Sequence, residues 1–414
     1  MGVVQRYVAF VLGCGASLRC AASVLDLLAT AAGDEAGTPD RSTGRMWLLR
    51  LGLAALLRPK THAPDWVWMV DHSVQIGRCK CLVILGIRLS DLPEDRPLAH
   101  HDMEPIALVP MCNATQETVA ARLEEAVAAT GAPRLILTDY GADLHGGVER
   151  FRRKHPETSE GYDVKHKAAC LLKRRLEGEA RWGAYATQLG QTKFAVQQTE
   201  LAFLAPPSQR SKARFMNLGA LVAWGNRTLA LLDDPSWPER FGVSAERVES
   251  KLGWLKQCRA ELVLWESYQE LIERTSEFVR RRGYYVGAGF DLARELPEAR
   301  GKADELREAL IAFVREESLQ VPLGERWPGT TEVLESCFGK LKSLEDGQSK
   351  SGFTGLVLSL GAMVSSWTTE RVTEALDRCR VRDVLAWCRQ QLGETLQSQR
   401  DRALGSIPSA TELG

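Results

Sequence analysis

The chain has 414 residues, of which 44% are hydrophobic, and its 53 basic side chains are balanced by 53 acidic ones. The length is typical of two or three domains, and the composition is that of a folded globular protein rather than a disordered one. The zero net charge argues against a uniformly basic surface, yet basic residues outnumber acidic ones within residues 1–60 and 161–220. This local excess is compatible with DNA binding but does not show it.

The ten cysteines include no C-x-x-C pair. Cys79 and Cys81 are the closest two, and no second close pair completes a four-ligand set, which argues against a structural zinc site. We therefore expect reduced thiols in a cytoplasmic protein. No run of about 20 apolar residues predicts a membrane span. The apolar stretch at 8–12 is bracketed by Arg6 and Arg19 and lacks the layout of a signal peptide.

The N-terminal 60 residues have the periodicity of three short helices. They are predicted at 5–12, 17–29 and 43–57. Ser17 and Ser42 are the expected N-caps of the second and third helices. Arg41 and Arg45 would lie on the outer side of the third helix, as in a helix-turn-helix domain that reads DNA. A small helical bundle with ordinary surface arginines fits the same residues equally well.

A hairpin is predicted next, with strands at 66–70 and 79–89 and a turn at 73–77. Asp71 ends the first apolar run. Because an unpaired carboxylate in a buried strand costs several kcal/mol, Asp71 should either face water at a strand end or hold a cation.

Strands and helices then alternate. Strands are predicted at 106–109, 134–138 and 160–163, and helices at 115–130, 148–153 and 164–175. This order predicts an α/β fold with a mixed five-stranded sheet and helices on its faces. In such a sheet Asp139, at the end of the fourth strand, can lie beside Asp71. Asp143 is interpreted as a helix cap.

Residues 181–327 are predicted to be an all-helical insertion, with helices at 212–232, 244–282 and 300–319. After it, Thr330 or Thr331 would cap a helix that carries Glu332, Glu335 and Lys342 on one side. An apolar helix at 352–367, a charged one at 371–396 and a polar tail at 397–414 complete the chain. We thus divide it into residues 1–60, a core made of 61–180 and 328–396, and the insertion between its parts.

Asp71, Asp139 and Glu335 are the acids that fit a metal-dependent site. Two-metal phosphoryl transfer needs carboxylates that converge on a pair of Mg²⁺ or Mn²⁺ ions, and these hard cations prefer oxygen ligands. Glu332 lies one turn before Glu335 on the same helix face and is its direct rival.

Four segments carry a resemblance to a known family. They are V-D-H-S-V-Q-I-G at 70–77, L-T-D-Y-G-A-D-L at 137–144, Y-D-V-K-H-K at 162–167 and T-E-V-L-E-S-C-F-G-K-L-K at 331–342. With them the chain resembles the DDE (Asp-Asp-Glu) transposases of bacterial insertion sequences, which have an RNase H-like core. The likeness covers residues 64–170 and 327–367.

The resemblance implies that Asp71, Asp139 and Glu335 hold two Mg²⁺ or Mn²⁺ ions and that Lys342 lies near a DNA phosphate. Hydrolysis would free a 3′-hydroxyl at the element's end, and that hydroxyl would attack target DNA. The protein would work as a homodimer on paired ends, in the bacterial cytoplasm and at the nucleoid. The N-terminal helices would read the transposon ends.

Several alternatives remain open at this point. An RNase H-like nuclease would cut without joining, an inactive remnant would bind DNA only, and a helical scaffold would do neither. Lys165 and His166 either follow the DNA backbone or belong to an ordinary helix face, with His166 in a structural role. Insertion tryptophans can stack on a flipped base, but helical tryptophans usually lie in the core. The candidates are Trp224, Trp254 and Trp265.

Overall fold

The computed structural model describes residues 2–33, 38–76, 79–209, 215, 218–346, 354–393 and 396–405. The chain forms two compact units. Unit 1 comprises Met1–Gly161 and Thr331–Gly414, and unit 2 comprises Tyr162–Thr330. Across the described ranges, no helix combines the length and the apolar character needed to cross a membrane.

Unit 1 begins with three helices, α1 (Gly2–Val8, continued by a π-helical turn), α2 (Leu18–Ala31) and α3 (Arg41–Leu57). Ser17 caps α2 as predicted, because its side chain accepts a hydrogen bond from the Cys20 N–H. The cap predicted at Ser42 is wrong. Asp40 caps α3 instead, and its carboxylate accepts both the Thr43 N–H at 2.7 Å and the Ser42 hydroxyl.

The prediction of a mixed five-stranded sheet is confirmed. Its strands are β1 (Trp66–Ile76), β2 (Cys79–Arg88), β3 (Glu104–Met111), β4 (Leu135–Thr138) and β5 (Ser159–Tyr162). They lie in the order β3-β2-β1-β4-β5. β2 is antiparallel to both β1 and β3, whereas β1 and β4 are parallel.

The turn predicted at 73–77 is wrong, because β1 continues to Ile76 and residues 77 and 78 lie outside the described part of the chain. The register shifts between Ser73 and Gln75. This bulge takes up an extra residue without ending the ladder. Asp71 pairs with Val83 inside β1 and is therefore not the last residue of the strand.

Two helices cover one face of the sheet, α4 (Gln116–Thr130) and α5 (Ala142–Arg152). Thr115, where this helix was predicted to begin, is the N-cap of α4, and Gly131 ends the helix with a positive φ of 83°. Side chains alternate between the faces of a strand, and the even-numbered side chains of β1, such as Trp68 and Val70, share one hydrophobic core with α4 and α5. Val119 and Leu123 come from α4, and Leu144, Val148 and Phe151 from α5.

Unit 2 is built from eight helices among its described residues. They are α6 (Val164–Leu176), α7 (Ala180–Val196), α8 (Leu218–Leu232), α9 (Trp237–Arg240), α10 (Ala245–Leu252), α11 (Arg259–Arg282), α12 (Ala288–Glu295) and α13 (Lys302–Leu319). The single helix predicted at 244–282 is wrong. A 3₁₀ segment, Gly253–Cys258, separates α10 from α11, at a glycine with low helix propensity. Of the further helix predicted at 212–232, residues 212–214, 216 and 217 lie outside the described residues.

Aromatic side chains form the core of unit 2. The Trp265 ring lies 5.1 Å from Trp182 and 5.0 Å from Tyr185, and it is fully buried. Trp254 donates its indole N–H to Thr192 Oγ1 and Trp224 donates to the Leu204 carbonyl. These contacts favour the core interpretation of the three tryptophans over base stacking.

The chain returns to unit 1 with α14 (Glu332–Asp346), a 3₁₀ turn (Gly355–Leu358), α15 (Ser359–Met363), α16 (Thr369–Arg378), α17 (Val381–Leu392) and α18 (Leu396–Gly405). The long helices predicted at 352–367 and 371–396 are therefore wrong. The second predicted helix is broken at Cys379. The break leaves the Leu376 and Cys379 carbonyls without partners within the helix, and the Arg50 side chain of α3 donates hydrogen bonds to both.

A second layer covers the other face of the sheet. Val67 and Met69, the odd-numbered side chains of β1, are fully buried there. α14 packs against β1, and α3 packs against β3, α15, α16 and α17. Helix α3 is thus mostly buried from Leu48 to Ala55, and its exposed residues lie in the first turn and at Leu57.

Candidate functional site

The first two predicted acids lie in β1 and directly after β4, which is parallel to β1. Met69 of β1 is paired with Leu137 of β4. Asp71 and Asp139 each follow that pair by two residues. Alternation along β1 places the Asp71 carboxylate on the face of Met69, opposite α4 and α5, whereas Asp139 lies one residue past the end of β4, in the turn that leads to α5. Both acids therefore follow the carboxyl end of the β1–β4 ladder.

Asp139 lies in a tight turn between β4 and α5. Its Oδ1 accepts the Gly141 N–H at 2.7 Å, and Thr138 Oγ1 accepts the Tyr140 N–H at 3.1 Å. Tyr140 has a φ of 60°, in the left-handed region that L-residues rarely adopt. A Cβ at Gly141 would lie 3.1 Å from Asp139 Oδ1, so the backbone approaches the carboxylate closely. The turn fixes one carboxylate oxygen of Asp139.

Asp71 is half-buried within β1, and its Oδ1 accepts the His72 N–H at 2.6 Å. A backbone N–H therefore orients the Asp71 carboxylate, just as the Gly141 N–H orients that of Asp139. Both side chains supply oxygen, the donor that Mg²⁺ and Mn²⁺ prefer.

Helix α14, which packs against β1, carries both candidates for the third acid in its first turn. Glu332 and Glu335 are both half-buried, so burial does not separate them. The neighbouring Ser336 hydroxyl lies 3.2 Å from His100 Nε2, which ties the helix to the loop before β3. Within the described ranges, no group of three or more His, Cys, Asp or Glu side chains is already arranged to hold a metal ion.

A polar cluster on the α5 side of the sheet was missed by the sequence analysis. Lys80 Nζ of β2 lies 2.9 Å from Asp143 Oδ2, and His72 Nδ1 lies 3.7 Å from the same oxygen. Asp143 was predicted to cap α5, which is wrong: Gly141 occupies the cap position, and Asp143 binds Lys80 in the first turn. No sequence signal links Lys80 to Asp143, because 63 residues separate them.

The charges of this cluster are coupled. Burial lowers the pKa of His72, Lys80 lowers it further, and Asp143 and Asp139 oppose the change. Burial disfavours the charged form of Asp143, but the hydrogen bond from Lys80 and the nearby His72 outweigh it and lower the pKa of this carboxyl. Asp139 is thus one of the charges that act on His72.

Three of the predicted DNA-binding residues lie in unit 1. Lys342 is exposed on α14, and Arg41 is exposed in the first turn of α3. The prediction that Arg45 lies on the outer side of the helix is wrong. Arg45 is half-buried near Cys388 of α17, and this burial lowers its pKa. The α17 helix packs against α3 at this point.

The other two lie in unit 2, at the start of α6. The buried Asp163 carboxylate caps α6 by accepting the His166 N–H at 2.9 Å, and His166 Nδ1 lies 3.0 Å from the same oxygen. His166 therefore has the structural role that the sequence left open. Lys165 is half-buried.

No protein-family model matches the chain, and no curated protein matches it. One solved structure with a similar chain is described as the Drosophila P element transposase strand transfer complex. The alignment covers 89% of this chain and 92% of that one, at 10% sequence identity and a TM-score of 0.40. A likeness at this level carries no argument about function, which has to come from the residues of the site.

Proposed function

We propose that this chain is a DNA transposase of the DDE type with an RNase H-like core. The observation that carries the proposal is the placement of Asp71 within β1 and of Asp139 directly after the parallel strand β4, each two residues beyond the Met69–Leu137 pair. The sequence around both acids resembles the corresponding family motifs. The packing of α14 against β1 supports Glu335 as the third acid.

The donor set fits Mg²⁺ or Mn²⁺ better than a soft metal. Asp71 and Asp139 offer carboxylate oxygens that backbone N–H groups already orient, and Glu335 would add a third carboxylate. When bound, a pair of such ions supplies activation of the attacking oxygen and charge stabilisation of the leaving oxygen. The role of the chain is to fix the carboxylates and to position the DNA strand over them.

The proposed reaction has two steps at phosphorus. Water attacks a phosphodiester at the element's end, the bond from phosphorus to the 3′-oxygen breaks, and a 3′-hydroxyl is released. That hydroxyl then attacks a target phosphodiester and displaces its 3′-oxygen, so one bond forms and one breaks in each step. Three basic residues are proposed to contact the DNA backbone: Lys342, Arg41 and Lys165.

The N-terminal helices are proposed to read the transposon ends as a helix-turn-helix, with the exposed first turn of α3 at the DNA. A homodimer on paired ends, acting in the bacterial cytoplasm at the nucleoid, completes the proposal.

The test is Mn²⁺-dependent nicking and joining of a labelled duplex that carries the DNA flanking the coding sequence. We expect Asp71→Asn, Asp139→Asn and Glu335→Gln to abolish both products while DNA binding is retained. Glu332→Gln is the matched control, since it makes the same change one turn earlier on α14. Activity that survives in Glu335→Gln but not in Glu332→Gln would move the third acid by one turn.

Other outcomes would replace the proposal. Nicked product without joined product would make the protein an RNase H-like nuclease. Salt-dependent DNA binding without either product would make it an inactive remnant, and the absence of DNA binding would leave a scaffold role.

A further inference from the structure

Three side chains lie in a row behind the Asp139 turn. The Tyr140 ring stacks on the His145 ring of α5, with centroids 4.5 Å apart and planes 17° from parallel. His145 Nδ1 in turn lies 3.0 Å from both carboxylate oxygens of Glu160 on β5. The Glu160 side chain is 2% exposed and that of His145 is 38% exposed. The row thus runs from a buried carboxylate to the residue that follows Asp139.

Tyr140 needs such support because of its backbone. Across the described residues, it alone among non-glycine residues has a positive φ. For an L-residue the left-handed conformation is strained, and it persists only when the surroundings determine it. Yet this conformation brings the Gly141 N–H onto Asp139 Oδ1. The stack on His145 holds the Tyr140 side chain in place.

We infer that His145 and Glu160 are positioning residues that hold the Tyr140 turn and thereby aim the Asp139 carboxylate. This inference rests on the proposed function, because it deepens the role of Asp139. Neither residue has to touch the metal or the DNA. Glu160 fixes the His145 ring through two short contacts, and the ring fixes Tyr140.

The environment of Glu160 agrees with a structural bond to His145. Burial raises the pKa of Glu160 to about 7, against the lowering effect of His145 and Arg152 and with a further increase from Glu149. Because ionising a buried carboxyl costs free energy, such a group needs a fixed hydrogen-bond partner. For Glu160 that partner is His145.

A glycine substitution separates positioning from general stabilisation. Glycine adopts a positive φ without strain, so Tyr140→Gly should make the turn independent of its side-chain support. His145→Ala removes the stack and the bond to Glu160, whereas His145→Phe keeps a ring and loses only the bond. The double variant Tyr140→Gly with His145→Ala should therefore recover what His145→Ala alone loses.

The first readout is hydrogen exchange of the Gly141 amide, which needs no catalytic activity. We expect exchange roughly tenfold faster in His145→Ala, an intermediate rate in His145→Phe, and restored protection in the double variant. The second readout is strand cleavage, with kcat reduced roughly 10- to 100-fold in His145→Ala and KM unchanged.

The two readouts keep the two claims apart. If Gly141 exchange follows the expected series but the wild type cleaves nothing, the proposed function fails and the positioning role stands. If Gly141 exchange is the same in wild type, His145→Ala and His145→Phe, the inference is overturned whatever the cleavage assay shows. A double variant that stays as unprotected as His145→Ala also overturns it, because the loss would then not act through Tyr140.

Discussion

Lys80 Nζ lies 2.9 Å from Asp143 Oδ2, and this ion pair joins the second strand of the sheet to the start of α5. His72 Nδ1 lies 3.7 Å from the same Asp143 oxygen, next in the chain to Asp71. The Lys80 ammonium and the Asp143 carboxylate therefore both act on the His72 imidazole, which is only 10% exposed. The charge state of His72 depends on both groups.

Replacing Lys80 by methionine should raise the pKa of His72. The positive charge of Lys80 lowers that pKa, and the substitution leaves the opposing effect of Asp143 uncompensated. An NMR titration of the His72 ring protons measures the change. Arg122→Ala, which breaks the exposed Arg122–Glu125 pair on α4, is the control and should leave the His72 curve in place. A His72 curve that stays or moves to lower pH in the Lys80 variant would contradict the predicted coupling.

Lys342→Ala should weaken DNA binding in a salt-dependent way. If the exposed Lys342 ammonium on α14 neutralises one phosphate, its loss reduces the slope of log Kd against log salt by about 1. Fluorescence anisotropy on a fixed duplex between about 50 and 200 mM salt measures the slope. Lys154→Ala removes an exposed lysine that lies 3.5 Å from Glu124, and we expect it to leave the slope unchanged. Equal slopes for wild type and Lys342→Ala would remove Lys342 from the DNA contacts.

Local sequence signals predicted much of this fold. Thr115 and Gly131 delimit α4 because a side-chain cap and a positive φ act within one turn. The apolar run that ends at Thr138 identified β4, the parallel neighbour of β1. These features depend on residues close together in the chain.

The features that sequence reasoning missed depend on distant contacts. The 371–396 helix breaks where Arg50, more than 300 residues earlier, supplies donors to the freed carbonyls. Asp143 was predicted to be a helix cap because its partner, Lys80, lies 63 residues earlier in β2 and is not visible from the local sequence. The His145–Glu160 pair joins α5 to β5 in the same way. Tertiary packing decides such contacts, and periodicity and propensity do not report it.

The stability of Glu160→Gln relative to wild type should increase as the pH rises. In the folded wild type the pKa of Glu160 is raised from 4.5 to about 7. Between these pH values the folded state therefore binds more protons than the unfolded state. The stabilisation that comes from protonated Glu160 is complete below pH 4.5 and is lost as the pH rises through 7. Glutamine does not ionise and avoids the loss, which is worth at most about 3 kcal/mol at about 1.4 kcal/mol per pKa unit.

Urea unfolding of both proteins at several pH values from about 4.5 to 7.5 measures this difference. Glu157→Gln, a charge removal at a side chain that is 58% exposed, is the control. A difference between Glu160→Gln and wild type that is constant across the range would show that the folded state does not raise the pKa of Glu160.

Gly52→Ala should destabilise unit 1 strongly, because α3 and the 3₁₀ turn before α15 approach each other at this glycine. A Cβ at Gly52 would lie 1.8 Å from the Leu358 carbonyl oxygen. That oxygen belongs to the backbone and cannot rotate away, so the helices would have to move apart, at a cost of about 2 kcal/mol or more. The matched control is Gly339→Ala on α14, where no atom lies within 4 Å of the new Cβ. Alanine should stabilise that exposed helical position by up to about 1 kcal/mol. Urea unfolding of the two variants compares them directly, and equal effects would mean that the contact between Gly52 and Leu358 does not constrain the fold.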